Sequence, residues 1–315
     1  MSDAPKKNPA LVMIEKGDYE GAFNALSQSL AINNEVFGPQ SAEVAEDHRN
    51  LGVLYYRQMQ FDNAKTHFAT ALAMDKKLFG DMDPQVAVDL NNLANAFQEM
   101  GDLENARSMF SQALEIDQEV YGKESIEASI HLSSLAGIAF RLKDFKTAKK
   151  LYQQALKINI KVNGEKDSET AILHSSLGSV AEAANQFEQA VIHYQQALSI
   201  ARMVFGGQHR YVASVHNLLG NVYLKQKNCE KAISAYEKAL KIDRVVYQNQ
   251  PHPTLARDLN NLGAAHEQSK QYGKALQKYE EAASILTKLL PSNHPYIRGI
   301  QDNFKRVQGY LSQNN

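Results

Sequence analysis

The chain has 315 residues, 43% of them hydrophobic, with 34 lysines and arginines against 35 acids, a formal charge of −1 and a pI near 6.8. So even a balance supplies no long-range field for nucleic acid or an anionic membrane, and neither is expected as a partner. Cys229 is the only cysteine, which excludes an intrachain disulfide and a cysteine-based zinc site. The longest early apolar stretch, Ala10 to Ile14, is too short for a signal-peptide core, and a cytoplasmic location is expected.

Residues 1–8 show no periodicity and are predicted to form a disordered tail. From residue 9 the chain repeats itself every 42 residues, so one continuous array over 9–294 is expected rather than two ordinary domains. A short helix from Pro9 to Gly17 leads into Asp18-Tyr19. There Ala22, Leu26, Ser29 and Leu30 take the places of Ala64, Phe68, Ala71 and Leu72, which makes a degenerate first repeat. Six full repeats follow, marked by Leu51, Leu93, Leu135, Leu177, Leu219 and Leu262. Each reads as two antiparallel helices. In the second full repeat the spacing predicts the first over Val86–Met100, with Leu90, Leu93, Ala94 and Phe97 on one face, and the second over Leu103–Val120. Small residues such as Ala64, Ala106 and Ala148 let paired helices approach to about 8–10 Å, and the aromatic at Phe68, Phe110, Tyr152, Tyr194, Tyr236 or Tyr279 fills the space beside them.

The punctuation is periodic too. Gly38, Gly80, Gly122, Gly164 and Gly206 end the second helices, where a left-handed conformation is expected. Pro39, Pro84, Pro253 and Pro295 fall near helix starts, where a missing N–H costs little. After Tyr247 the glycine is lost and the period stretches to 43. Residues 295–315 are predicted to be a capping helix and tail, with Ile297, Ile300, Phe304, Val307 and Leu311 on one face. The expected fold is all-α, a right-handed superhelical solenoid of antiparallel helix pairs.

Leu51-Gly52-Val53-Leu54-Tyr55 followed by Ala64, Phe68 and Ala71 resembles the tetratricopeptide repeat, as does Leu219-Gly220-Asn221-Val222-Tyr223 with Ala232, Tyr236 and Ala239. The usual repeat has 34 residues and an early tryptophan. Here the period is 42, tryptophan is absent, and His48, Leu90, Leu132, His174, His216 and Leu259 stand in that place. The longer period and the wording of residues 84–94, echoed at 253–262, are similar to the kinesin light chain type of repeat. The resemblance implies a solenoid that holds peptides in its concave groove, where light chains read short cargo motifs. Light chains also hold the motor heavy chain through a heptad coiled coil, which these 315 residues lack, so a relative of the cargo-reading half is expected.

Winding the first helices at 100° per residue puts polar rows opposite the apolar stripe, where they would line the inner wall of the superhelix. One row holds Arg49, Asn91, Ser133, Ser175, Asn217 and Asn260. A second holds Val53, Asn95, Gly137, Ser179, Asn221 and Ala264, and a third begins with Asn50 and Asn92. Asparagine both donates and accepts, so it can pair with the backbone of an extended peptide. Arg49 and Arg57, two turns apart, mark a place for an anionic side chain; across the face, Arg49, Arg57, Arg141, Lys225 and Arg257 are offset by Glu46, Glu99, Glu182 and Glu267. His209, His252 and His294 fall at inter-repeat turns, and His174 and His216 at matching buried places, so a structural role is expected for all five. No nucleophile elbow, phosphate loop or metalloprotease helix is present. The expected protein is a non-enzymatic adaptor, monomer or weak homodimer, with no cofactor and no metal, binding a protein or peptide partner in the groove. Docking of a folded partner or of a second copy by an outer surface, and a small-ligand sensor or enzyme, are the alternatives.

Overall fold

The computed structural model describes residues 8–313, so positions 1–7 of the expected tail lie outside the described residues. Asn8 lies within them, and its side chain accepts from the Ala10 N–H to cap the first helix. Every element among the described residues is an α-helix: α1 Pro9–Lys16, α2 Tyr19–Phe37, α3 Ala42–Arg57, α4 Phe61–Phe79, α5 Pro84–Glu99, α6 Leu103–Val120, α7 Ile126–Arg141, α8 Phe145–Asn163, α9 Ser168–Ala183, α10 Phe187–Phe205, α11 Arg210–Lys225, α12 Cys229–Val246, α13 Pro253–Gln268, α14 Tyr272–Thr287 and α15 Pro295–Gln313. The chain divides into two compact units, Met1–Ile158 and Asn159–Asn315, with the division inside α8.

Within the first unit, α3 packs on α4 and α5 on α6, each pair turned by three residues (58–60 and 100–102). Phe110 shows how the pairs are stacked. Its ring is fully buried among Ala94 and Ala106 of its own pair and Ile138 on α7, the next first helix. Removing such a ring from water contributes roughly 1.5–3 kcal/mol. In the second unit, α9 packs on α10, α11 on α12 and α13 on α14. Both units bring a ring flat against a glycine of the first helix, as at Gly52 beside Phe68 in the first unit, where an added Cβ would lie 2.5 Å from the ring. A Cβ added at Gly178 would lie 2.5 Å from the Tyr194 ring, and one at Gly220 2.5 Å from Tyr236, so only glycine admits these rings flat against the helix. The last helix, α15, buries Ile297, Ile300 and Val307 in the same cluster as Tyr279 and Leu286.

One row of caps starts most of the first helices. Ser41, Asp83, Ser125 and Asp167 accept backbone N–H bonds at the starts of α3, α5, α7 and α9. His209 and His252 do the same with Nδ1 at α11 and α13, and His294 Nδ1 accepts from the Tyr296 N–H at 3.3 Å. The periodic histidines are therefore helix caps. The glycines that end α2, α4 and α10 differ from expectation. Gly38, Gly80 and Gly206 have φ of 85°, 91° and 81° with ψ of 161°, 163° and 160°, an extended positive-φ conformation rather than the left-handed helical one. That region is open essentially to glycine alone.

Candidate functional site

The first polar row is mostly engaged in joining one repeat to the next. Arg49 on α3 is buried enough to act as an internal cation: Nη2 lies 2.5 Å from Asp75 on α4 and Nε 2.6 Å from Asp89 on α5. Its expected role as a receptor for an outside anion is corrected accordingly. Asn217 on α11 is buried and donates to Asp258 on α13 at 2.9 Å, with Asn261 donating to it in turn at 3.4 Å. Ser175 on α9 is buried against the Tyr211 hydroxyl at 2.8 Å, and Asn260 accepts from Asn303 of α15 at 3.0 Å. Residues placed on the lining by helical winding thus serve the stack, because the next first helix offers each a polar partner. In the same row Asn91 on α5 and Ser133 on α7 stay half-exposed, and among the described residues neither makes a side-chain hydrogen bond.

The second row meets the aromatic of its own pair. Ser179 lies 3.0 Å from the Tyr194 hydroxyl, and Asn221 accepts from the Tyr236 hydroxyl at 2.7 Å. Asn95 faces a repeat whose aromatic is Phe110, which has no hydroxyl to give, and its amide is left half-exposed and unpaired among the described residues. Of the third row, Asn50 is 6% exposed with a buried, unpartnered Nδ2, so it is corrected to an interior residue, whereas Asn92 stays half-exposed. Arg57 is exposed at the end of α3. The structure thus brings Asn91, Asn92 and Asn95 together on α5, with Ser133 on α7, and takes Arg49, Asn50, Ser175, Ser179, Asn217, Asn221 and Asn260 into its own contacts.

The charges on this face are also largely paired. Glu182 receives Lys225 at 2.8 Å and the Tyr194 hydroxyl at 2.9 Å, and Glu267 takes both a two-pronged bond from Arg306 and the Tyr279 hydroxyl. The Arg306 bonds hold the Glu267 carboxyl below its ordinary range. Arg141 donates to the Gln98 carbonyl at 2.9 Å.

Sequence reasoning passed over a row of buried carboxylates at the junctions between repeats. Asp47, Asp75, Asp89, Asp117, Asp243 and Asp258 are all at most 4% exposed. Burial pushes Asp89 up against the lowering effect of Arg49, and pushes Asp243 up with Asp258 adding to it. His131 Nδ1 stands 2.7 Å from Asp117, a close approach without a well-directed hydrogen bond. The signal was in the periodicity: Asp75, Asp117 and Asp243 recur at one place in the apolar stripe of the second helices. His174 and His216 do not pair with each other. His174 meets His193 at 3.2 Å, His48 meets His67 at 2.9 Å, and His216 meets Arg202 at 3.0 Å. Burial, reinforced by the facing cation or imidazole, lowers His174 and His216 to about 4 each. Among the described residues no group of three or more His, Cys, Asp or Glu is arranged to hold a metal ion, and no helix is long and apolar enough to cross a membrane.

Comparison with known proteins agrees with the helix pairing. Tetratricopeptide repeat profiles match residues 8–77, 85–161, 127–203 and 169–244, and a second such profile matches 258–296. No curated protein is a significant match in sequence. Among solved structures, BtubC (BKLC) from P. vanneervenii is 25% identical with a TM-score of 0.61, covering 86% of this chain and 94% of that one. Kinesin light chain repeats from Podosopora anserina are 17% identical with a TM-score of 0.57, covering 65% and 98%. A chain of the APC/C hetero-tetramer Cut9-Hcn1, 18% identical, reaches a TM-score of 0.64 over 95% of this chain and 48% of that one. Profiles that cover most of the chain, together with a 42-residue period, assign it: the protein belongs to the tetratricopeptide repeat family, a class of protein-interaction scaffolds, with repeats of the kinesin light chain type.

Proposed function

We propose that the protein is a non-enzymatic, cytoplasmic adaptor that holds a linear segment of a protein partner against the first helices of its first unit. One observation supports this most: Asn91, Asn92 and Asn95 present amides that nothing else in the described chain engages, while Asn217 and Asn221, which take the places of Asn91 and Asn95 in the second unit, are bonded internally. An amide that donates and accepts suits the exposed backbone of an extended segment, which offers both groups at every residue. Exposed Arg57 adds a place for an acidic side chain of that segment. The test is a library of random linear peptides displayed against the full chain. A selected peptide should bind Asn91→Ala/Asn95→Ala at least about tenfold more weakly, a loss of about 1.4 kcal/mol, with thermal stability nearly unchanged. Selected peptides that bind the double variant as well as wild type would remove this face from the account.

Docking by an edge is the second reading. The second helices of the first unit end in exposed Val36 and Phe37, Leu78 and Phe79, and Val120 and Tyr121, each 41–64% exposed, which repeats an apolar pair at every pair of helices. Sedimentation across a range of concentrations would reveal a second copy docking there.

A further inference from the structure

Within the second unit, the junction between α13 and the last helix, α15, holds a cavity of about 680 Å³. The same place between α11 and α13 holds one of about 320 Å³. The two differ in kind as well as size. The earlier junction is built on the buried acids Asp243 and Asp258, with Arg257 over them and bonded to Asp258 at 2.9 Å. One repeat later Leu286, Ile300 and Gly299 take the places of those three residues. Leu286 and Ile300 are buried, as is Ala256, and together they give the cavity an apolar floor. Pro253 and Pro295, which start α13 and α15, add apolar wall. A Cβ built at Gly299 would meet nothing within 4 Å, so the space that the Arg257 side chain occupies at the earlier junction is left open here.

The asparagines on the wall keep unused capacity. At the earlier junction Asn217 Nδ2 donates to Asp258 at 2.9 Å, and Asn217 Oδ1 accepts from Asn261 at 3.4 Å. Asn260 and Asn303 repeat the second bond at 3.0 Å, but Ile300 stands where the acceptor of the first would be. Asn260 Nδ2 and Asn303 Oδ1 are therefore left without a hydrogen-bond partner among the described residues, one donor beside one acceptor on the lining. Arg257 lines this cavity too, but its guanidinium is taken up by Asp258 and stands 3.9 Å from Asp243. Thr254 and the exposed Tyr296 bring only hydroxyls.

We propose that this cavity takes one uncharged, apolar residue of leucine or phenylalanine size, with its own peptide groups, from a segment of a partner protein. The side chain lies on Leu286 and Ile300, the residue's C=O accepts from Asn260 Nδ2, and its N–H donates to Asn303 Oδ1. A donor beside an acceptor matches the two peptide groups of an extended residue. An apolar volume of roughly 300–1,000 Å³ with a few convergent polar groups is the usual form of a ligand site. A charged side chain would give up its water over a floor that offers it no partner, and the one guanidinium on the wall already has a carboxylate. That the residue comes from a protein segment rests on the segment-binding reading; the cavity's affinity for an apolar amide does not, since none of the α5 asparagines lines it.

The probe is N-acetyl-L-phenylalanine amide, titrated into the full chain by ligand-observed NMR beside the lysine and glutamate amides. It is expected to bind at least about tenfold more tightly than either. Gly299→Leu puts a side chain into the open space without a clash at its Cβ and replaces a helical glycine, so it should weaken the probe about tenfold or more while raising the melting temperature. Asn260→Ala removes the free donor and should weaken the probe about fivefold, and Gly299→Leu carries the test alone if the Asn260 variant fails to fold. Asn91→Ala/Asn95→Ala should leave probe binding unaltered even where it abolishes peptide binding, which separates this inference from the segment-binding reading. Equal binding of the three probes, a preference for a charged one, or undiminished binding by Gly299→Leu or by a folded Asn260→Ala would overturn the proposal.

Discussion

Asn91 and Asn217 hold the same place in their repeats, and so do Asn95 and Asn221, yet the first unit leaves its pair unengaged and the second unit uses its pair internally. The difference is set by the residues opposite. Asn217 finds Asp258 forty-one residues on, whereas the corresponding place after Asn91 holds His131, which turns to Asp117 instead. Asn221 receives the Tyr236 hydroxyl, but Asn95 faces Phe110. Equivalence along a repeat fixes where a side chain sits, and its cross-repeat partner decides whether it is available to another molecule.

The comparison can be broken most severely at Arg49. Arg49→Ala leaves Asp75 and Asp89 buried without their shared cation, and urea unfolding should show a loss of about 3–5 kcal/mol. A loss under about 1 kcal/mol would mean that the first unit does not depend on an internal guanidinium. Gly220→Ala should cost about 1–3 kcal/mol in the second unit, because its Cβ meets the Tyr236 ring at 2.5 Å, while two of the three equivalent places in the first unit already carry Ala94 and Ala136 and only Gly52 keeps the glycine.

Acid should distinguish the units next. His174 and His216, both in the second, have folded-state values near 4 against an ordinary 6.5, so the unfolded chain binds more protons between those limits. Their contribution is complete above pH 6.5 and is lost as pH falls toward 4. Asp243 runs the other way, since burial raises it and its contribution is lost as pH rises. His174→Leu/His216→Leu, which imports the leucine of Leu90, Leu132 and Leu259, should therefore lose less stability than wild type between pH 7 and 4.5, by roughly 1–2 kcal/mol per histidine after solvent screening. Identical pH profiles would contradict the assignment. Smallest of all, Asn221→Ala should cost about 1 kcal/mol by stranding the Tyr236 hydroxyl, whereas Asn95→Ala should stay within about 0.5 kcal/mol of wild type.

The helix pairs could be read from the sequence because period and size carry them. Leu90, Leu93 and Ala94 recur with the apolar stripe, and the interval from Val86 to Met100 falls within two residues of α5 at Pro84–Glu99. The lining could be read only in part. Winding a single helix shows which way Asn217 points, but not that Asp258 waits on the next first helix, because that contact depends on stacking. Arg49 likewise looks like a surface cation until Asp75 and Asp89 are brought to it from two other helices. His209 and His252 are legible from the sequence as structural residues of the inter-repeat turns, but that they cap helices shows only when they fall in the row of Ser41, Asp83, Ser125 and Asp167.

The most direct test follows the asparagine side-chain amides themselves. In ¹H–¹⁵N spectra of the full chain, addition of a display-selected peptide should shift the amide pairs of Asn91 and Asn95 and leave those of Asn217 and Asn221 in place. Shifts confined to Asn217 and Asn221, or to neither pair, would contradict the account.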